Sequence, residues 1–408
     1  MSSTSATARS LDADALAERA RRVLPGGSTH AAREYQPPLY VVRSQGSHKW
    51  LIDGREILDY TMGHGALLLG HAHPEVVAAV QQQVERGTHF GAASPLEVEW
   101  AELITSLVPS AEEVRFTASG TEAAMLSIRL ARAATGRPYI VKFDQHFHGW
   151  SDSVSVDLDA AGQASAAAGI APATAALTRV VRADDHGALA AALHLGDAAA
   201  LIVEPSGAHY GRETLDPEVL RRARTLCDET GTLLIFDEVV TGFRVAPGGM
   251  QSLVGVIPDL SLLGKVMAGG LPAGAVVGKR SVLELLAGSI HHPGTFNANP
   301  LSAAAGIATL RVVSTGQPQR AASTYAAALE SGWRSALTAG GRSGRVWRLS
   351  SIIHVELEDP AAQSRLAGAL REEGVDLLHT SAFCSAVHTD ADLETSIAAL
   401  SRALGRLA

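Results

Sequence analysis

The chain of 408 residues is 46% hydrophobic and 19% charged, with a formal net charge of −8. These are ordinary values for a globular protein that buries a large core and divides into two domains. The mild acidity, with arginines scattered rather than gathered in a stripe, argues against a nucleic-acid surface. Cys227 and Cys384 are too few for a disulfide framework and suit a reducing compartment. Met1–Ser10, rich in Ser, Thr and Ala, lacks the apolar core of a signal peptide, and no run of about 18 apolar residues occurs further on. The expectation is a cytoplasmic protein with a short disordered start and no membrane partner.

From the N-terminus, residues 11–24 carry the spacing of an amphipathic helix that stops at Pro25-Gly26-Gly27. Residues 39–42 and 48–60 read as short strands turned at Gly46 and Asp53-Gly54, an arm that needs another element to pack on. From about residue 61, helices are expected at 75–86, 95–108, 121–135, 216–230 and 300–314. They alternate with strands at 114–117, 139–143, 179–182, 199–204, 232–237 and 275–278. Continuous apolar runs such as Ala199–Val203 suit strands covered on both faces, and strand–helix alternation favours parallel connections. Ala160–Ala176, rich in Ala, Gly and Ser, reads as a mobile loop. A smaller α/β pattern closes the chain: a helix at 318–338, a strand region at 345–357, a helix at 361–373 ending at Gly374, and a helix at 391–404. The expected division is 1–60 as an N-terminal arm and part of a small domain, 61–315 as the large domain, and 316–408 as the C-terminal small domain.

Two charged residues in apolar sequence carry the strongest chemical signal. Thr232–Val239 is a buried-strand pattern containing Asp237 and Glu238, whose side chains take opposite faces if the strand continues. Lys265 lies among Leu262, Leu263 and Val266, and the glycine-rich turn Ala268-Gly269-Gly270 behind it lets a substrate approach. The chain has four lysines against thirty arginines. An arginine supplies charge, but only an amine condenses with an aldehyde. Among the rivals, Lys142 in its alternating strand can snorkel to a face, Lys279 beside Arg280 reads as exposed, and Lys49 sits in the N-terminal arm. A strand-end carboxylate and a desolvated lysine are what pyridoxal phosphate needs, one for its ring nitrogen and one for its aldehyde. Asp237 equally suits a strand-end cap or an ion pair.

Ala118-Ser119-Gly120-Thr121-Glu122 succeeds a strand and opens a helix, with Ser119 and Glu122 at capping-box spacing. The segment reads either as a well-capped helix or as a phosphate cup. In a cup, Gly120 lets the backbone approach while the hydroxyls of Ser119 and Thr121 and the helix-start amides donate. Phe147, in His146-Phe147-His148-Gly149-Trp150, is either a core aromatic or a ring stacked on a flat heterocycle. His146 and His148 have no matching Cys or carboxylate cluster, so no metal is expected.

Several motifs then occur in one order: Ser119–Ala123, Asp237–Arg244, Leu263-Gly264-Lys265 and Gly294-Thr295-Phe296. With Pro25-Gly26-Gly27, Gly70–Pro74, Phe90-Gly91-Ala92 and Val203-Glu204-Pro205, they resemble the class III aminotransferases, from about residue 22 to the end. Within that family the resemblance is to the glutamate-1-semialdehyde 2,1-aminomutases and related aminotransferases. It implies an α/β protein with the fold type I of pyridoxal-phosphate-dependent transferases: a large domain with a mostly parallel seven-stranded sheet, plus a smaller α/β domain. It further implies that Lys265 bonds to the cofactor aldehyde and then shuttles the proton, and that Asp237 pairs with the ring nitrogen. Val239 and Phe147, where the family often has Tyr, would cover the two ring faces. Ser119, Gly120 and Thr121 would hold the phosphate, Glu204 would belong to the cofactor's surroundings, and Thr295 would reach the phosphate of the neighbouring subunit in a homodimer.

Arg33 falls where the aminomutases bind the substrate carboxylate, although an exposed arginine is equally suited to a surface ion pair. Four positions depart from the aminomutase pattern: His64 replaces Trp, His30 replaces Ser, His209 replaces an Asn near the cofactor's phenolic oxygen, and Cys384 replaces Glu. They imply a remodelled substrate pocket, with His64 and His209 among the substrate contacts. The expected function is amino transfer between a small carboxylate-bearing amino donor and a carbonyl acceptor. The alternatives are intramolecular transfer of the aminomutase type, with Ala160–Ala176 as a lid; racemisation or decarboxylation with the same cofactor; and, in a different class, a non-catalytic ligand-binding relative, against which the presence of both Lys265 and Asp237 speaks.

Overall fold

Seven strands, numbered in chain order, form the central sheet: β1 (Glu113–Thr117), β2 (Tyr139–Phe143), β3 (Thr178–Val181), β4 (Ala198–Val203), β5 (Leu233–Asp237), β6 (Leu260–Gly264) and β7 (Gly274–Gly278). The structure, a computed structural model, describes residues 12–30 and 33–407; the disordered start expected at Met1–Ser10 lies outside them. Across the sheet the order is β1-β7-β6-β5-β4-β2-β3. Only β7 breaks the parallel arrangement, running antiparallel to both β1 and β6. The apolar strands sort their residues by alternation. Ile140, Ile202 and Ile235 face the helix Gly120–Thr135, through Leu126, Ile128 and Leu130. Val141, Leu201 and Leu234 face the helices His186–His194 and Pro217–Thr230, through Leu189, Leu193 and Leu220. Each large apolar side chain buried in these layers contributes about 1.5–3 kcal/mol relative to exposure.

Several elements of this unit differ from the sequence expectation. β6 is a strand that the pattern concealed, because Ser261 interrupts its apolar run. Its hydroxyl is satisfied internally, by Ser110 Oγ at 2.9 Å and Gln251 Nε2 at 3.1 Å. The Ala-rich helix His186–His194 also escaped, having little apolar periodicity to reveal it. Ala160–Ala176, expected as a loop, contains the outer strand of a small hairpin, Val156–Leu158 paired with Ala164–Ala166, and the single turn Pro172–Ala175.

The N-terminal strands Val41–Gln45, His48–Leu51 and Glu56–Asp59 form an antiparallel meander around the Asp53-Gly54 turn, the first strand beginning later than expected. The element they pack on comes from the other end of the chain. Glu56–Asp59 pairs in parallel with Val375–Asp376. Lys49 Nζ is buried between Asp59 (3.0 Å) and Asp376 (2.5 Å), and His71 Nε2 reaches Asp59 at 2.7 Å. The expected strand region 345–357 is a hairpin, Gly344–Leu349 and Ile352–Leu357, turned at Ser350 with φ of 51° and extended by Ser381–Phe383. Helices Gln317–Ala339, Pro360–Glu372 and Asp390–Arg406 cover it, and Leu58 and Tyr60 of the arm enter the core around Trp333 and Leu400.

Candidate active site

Parallel strands all deliver their outgoing loops to one edge of the sheet, and ligands of open α/β sheets bind outside that carboxyl edge. Here the segments leaving β1, β2, β4, β5 and β6 line a single cavity of about 670 Å³. Antiparallel β7 joins them at its start, because Gly274 pairs with both Thr117 and Gly264 and so brings Pro272 and Ala273 to the same edge. Lys265, Asp237, Val239, Glu204 and Phe147 line this cavity together with Ser119, Gly120 and Thr121. Arg33, His64 and His209 line it as well. Thr295 does not. It lies in a separate depression with His89, Phe90 and Gly91, where its carbonyl accepts from His89 Nε2 at 2.6 Å.

The four lysines divide cleanly by their surroundings. Lys49 is held by two carboxylates, and Lys279 Nζ lies 2.5 Å from Asp259. Lys142 does not snorkel. It is fully buried and donates to the carbonyls of Val154 (3.3 Å) and Val156 (3.0 Å) and to Asp157 (2.6 Å), tying β2 to the hairpin. Lys265 alone makes no hydrogen bond and no ion pair among the described residues. It leaves β6 with a left-handed backbone, φ 49°. Burial pulls its amine below the usual lysine range, against the charges of Asp237 and Glu204. An amine so placed spends more time unprotonated and nucleophilic.

Asp237 and Glu238 take opposite sides, as strand alternation requires. Glu238 turns into the protein and accepts from Thr241 Oγ1 (2.6 Å), Met250 N (2.7 Å) and Gln251 N (2.9 Å). Asp237 turns to the cavity, with Oδ1 accepting from Val239 N (3.1 Å) and Oδ2 from His148 Nδ1 (2.9 Å). Glu204 accepts from Phe147 N (2.7 Å) and Tyr210 N (3.2 Å). Burial, reinforced by Asp237, nevertheless pushes its carboxyl up to about 8. His146 Nδ1 accepts from Glu204 N at 2.9 Å, so both histidines flanking Phe147 are tied to carboxylate-bearing residues. Among the described residues no His, Cys, Asp and Glu cluster is arranged to hold a metal. Phe147 itself is 64% exposed and is not a core aromatic.

At the start of the helix Gly120–Thr135, Ser119 Oγ accepts from Glu122 N (3.2 Å), while Glu122 reaches past Ser119 to Ala118 N (2.9 Å). The expected reciprocal box is thus shifted by one residue. First-turn amides have no intrahelical acceptor, which leaves this end suited to an anion. A Cβ on Gly120 would come within 2.9 Å of Val239 Cγ2, and one on Gly149 within 2.6 Å of Thr121 Oγ1. The cradle therefore depends on two residues without side chains.

On the outer side, Arg33 is exposed, donates to Thr29 Oγ1 (3.3 Å) and forms no ion pair with a carboxylate among the described residues. The His64 ring packs on His30, centroids 5.3 Å apart. Tyr210, Leu378 and His379 complete this side, and no sequence motif had singled them out. Cys384 is a correction. It lies in the core of the C-terminal helices and strands, outside the cavity lining, and only its carbonyl acts nearby, accepting from the buried Arg244 at 3.0 Å.

The class III aminotransferase model matches residues 29–404. The chain belongs to the class III aminotransferases. It is 40% identical to the glutamate-1-semialdehyde 2,1-aminomutase of Methanopyrus kandleri, over 96% of this chain and 97% of that one. An omega-transaminase from Sphaerobacter thermophilus superposes with a TM-score of 0.91 at 34% identity, covering 97% of each chain. A transaminase with pyridoxal phosphate bound gives a TM-score of 0.92 at 32% identity, covering 97% and 98%. The fold is that of pyridoxal-phosphate-dependent transferases, and the chain is an enzyme that uses this cofactor. The residues present fit it: a lysine whose amine has no partner among the described residues, a strand-end carboxylate facing the same cavity, and a helix start that two glycines keep open. Like others of its family, this enzyme takes an amino donor and an acceptor. Among the described residues no helix is long and apolar enough to cross a membrane.

Proposed function

We propose that this class III enzyme moves an amino group from a carboxylate-bearing amino donor to a separate carbonyl acceptor. The observation that carries the reading is the composition of the cavity: the Lys265 amine and Asp237 share it with Arg33, His64 and His209, polar groups suited to a carboxylate. Bound pyridoxal phosphate supplies an electron sink for the charge that develops beside the amino-bearing carbon. Ser119, Gly120 and Thr121 would hold its phosphate, Asp237 would pair with its ring nitrogen, and Val239 and Phe147 would cover the ring, with Glu204 supporting the Phe147 segment through its amide. Burial lowers the proton affinity of the Lys265 amine, which would suit it to take the proton from the donor's amino-bearing carbon and to return it. Arg33 orients the donor through its carboxylate.

Intramolecular transfer of the aminomutase type is the second reading, favoured by the 40% identity to the Methanopyrus kandleri enzyme. The two separate in one assay. With glutamate-1-semialdehyde as sole substrate, little 5-aminolevulinate should form, whereas carboxylate-bearing amines should bleach the cofactor's absorbance and an added keto acid restore it. Rapid, sustained conversion of the semialdehyde without a keto acid would make the enzyme an aminomutase.

The proposal includes a homodimer whose sites are completed by Thr295 of the other subunit. Two facts support it: Thr295 lies outside its own chain's cavity, and exposed Phe90 (46%) and Phe296 (62%) surround it. Heterodimers of a Lys265→Ala subunit and a Thr295→Ala subunit should then have one site with both lesions and one with neither. The mixture should regain activity that neither parent has. If no intact site appears on mixing, the sites lie within subunits.

A further inference from the structure

Three of the cavity's histidines arrive from three separate parts of the chain, each on a left-handed backbone: His64 with φ of 57°, His209 with 51° and His379 with 54°. Non-glycine residues take this conformation at a cost, and histidine is among those enriched there; their convergence on one cavity is the kind of outlier that accompanies function. None of the three imidazoles makes a hydrogen bond or ion pair among the described residues, whereas the cavity's two carboxylates are already engaged, Asp237 by His148 and Val239, and Glu204 by the Phe147 and Tyr210 amides. The chemistry left unanswered on this side is that of hydrogen-bond donors and latent cations.

We infer that His64, His209 and His379 form a second anion subsite, so that the preferred substrate carries two carboxylates, one for Arg33 and one for this histidine cluster. The inference rests on the amino-transfer reading and names its substrate class. His379 links the cluster, acting electrostatically on both His64 and His209. His64 faces His30, Arg33, Lys265 and His379, all of them cationic or potentially so. These neighbours add to burial, which leads, in pulling its imidazole down to about 4. For His209 burial again leads in lowering it, with Arg212 and His379 acting in the same direction and Glu213 and Asp157 against them. Without an anion beside them the charged forms of His64 and His209 are therefore disfavoured. A carboxylate placed among them reverses the balance, raises their proton affinity and is bound together with protons. Affinity for the second carboxylate is then highest in acid and declines as pH rises through the imidazoles' anion-bound pKa.

The experiment uses the cofactor-loaded enzyme and two unreactive ligands of equal length, a saturated dicarboxylate and its monocarboxylate analogue. Their binding is followed by calorimetry at about pH 6 and about pH 8 in buffers of different ionisation enthalpy. The dicarboxylate should bind roughly tenfold more tightly at the lower pH, with proton uptake, and this advantage should shrink at the higher pH. His379→Asn and His64→Asn should each reduce the dicarboxylate-to-monocarboxylate affinity ratio, and the ratio of kcat/KM for the matching amino donors should fall with it. Equal binding of the two ligands, or variants that weaken both in the same proportion, would overturn the subsite. Failure of the amino-transfer reading looks different: no amino donor, singly or doubly acidic, would then convert the cofactor.

Discussion

Lys265→Ala should lower turnover by roughly 10⁴-fold or more, because in the proposed mechanism one side chain would serve both as covalent anchor and as proton carrier, and loss of a general base alone costs about 10²–10⁴-fold. The fold should survive. Among the described residues the Lys265 amine makes no hydrogen bond or ion pair that alanine would leave unanswered, and removing a buried amine relieves desolvation. Melting temperature should stay level or rise while activity vanishes. Borohydride reduction of the parent enzyme and then peptide mass analysis should place the pyridoxyl group on Lys265. Lys142 is the informative contrast, since its amine answers two carbonyls and Asp157. Truncating it should unfold the hairpin junction rather than silence chemistry. A label on Lys142, or substantial turnover in Lys265→Ala, would remove Lys265 from the mechanism.

Asp237→Asn should retain the fold and lose roughly 10²–10³-fold in turnover, the scale seen when one preorganised electrostatic partner of a reacting group is removed. The amide is close in volume to the carboxylate, and its oxygen can still accept from Val239 N. Its NH₂ then meets His148 Nδ1, which must give up its proton and become the acceptor. Nε2, which has no partner in the present arrangement, takes that proton. Burial already disfavours a charged His148, so both tautomers are neutral and the exchange leaves no buried charge behind. The measurement is single-turnover conversion of the bound cofactor beside its affinity and the melting temperature. Near-normal turnover with cofactor bound would show that this strand-end carboxylate has another task.

Some of this site was legible in sequence because its parts are local. A strand end, the residue after it and the next helix are contiguous, so Ser119–Thr121, Asp237 and Lys265 each announced their place through a change from apolar run to polar or glycine residue. Alternation along Phe236–Val239 even separated Asp237 from Glu238. The outer side of the cavity was legible only in part. His64 and His209 stood out as departures from a family pattern. His379 had no such signal: it lies past Val375–Asp376, in a loop placed by the pairing of that strand with Glu56–Asp59 and by the bridge of Leu378 to Ser381, partners far from Lys265 in sequence. Cys384 misled for a related reason, since a position aligned with a pocket residue can turn its side chain into the core. The β6 strand was hidden by Ser261, whose hydroxyl finds its partners in residues far away in sequence.

The parallel pairing of Glu56–Asp59 with Val375–Asp376 also bears on how the molecule is made. Lys49 emerges from the ribosome 327 residues ahead of Asp376, the carboxylate that closes its buried pair. The seven strands of the large sheet are all synthesised by residue 278, so that layer can assemble on the growing chain. The N-terminal meander cannot complete its own sheet until nearly the whole polypeptide is present. Until then its apolar residues, Leu58 and Tyr60 among them, lack the core they finally enter. The first strands translated are thus among the last to reach their native neighbours, and it is this part of the nascent chain that needs shielding from other chains in the cell.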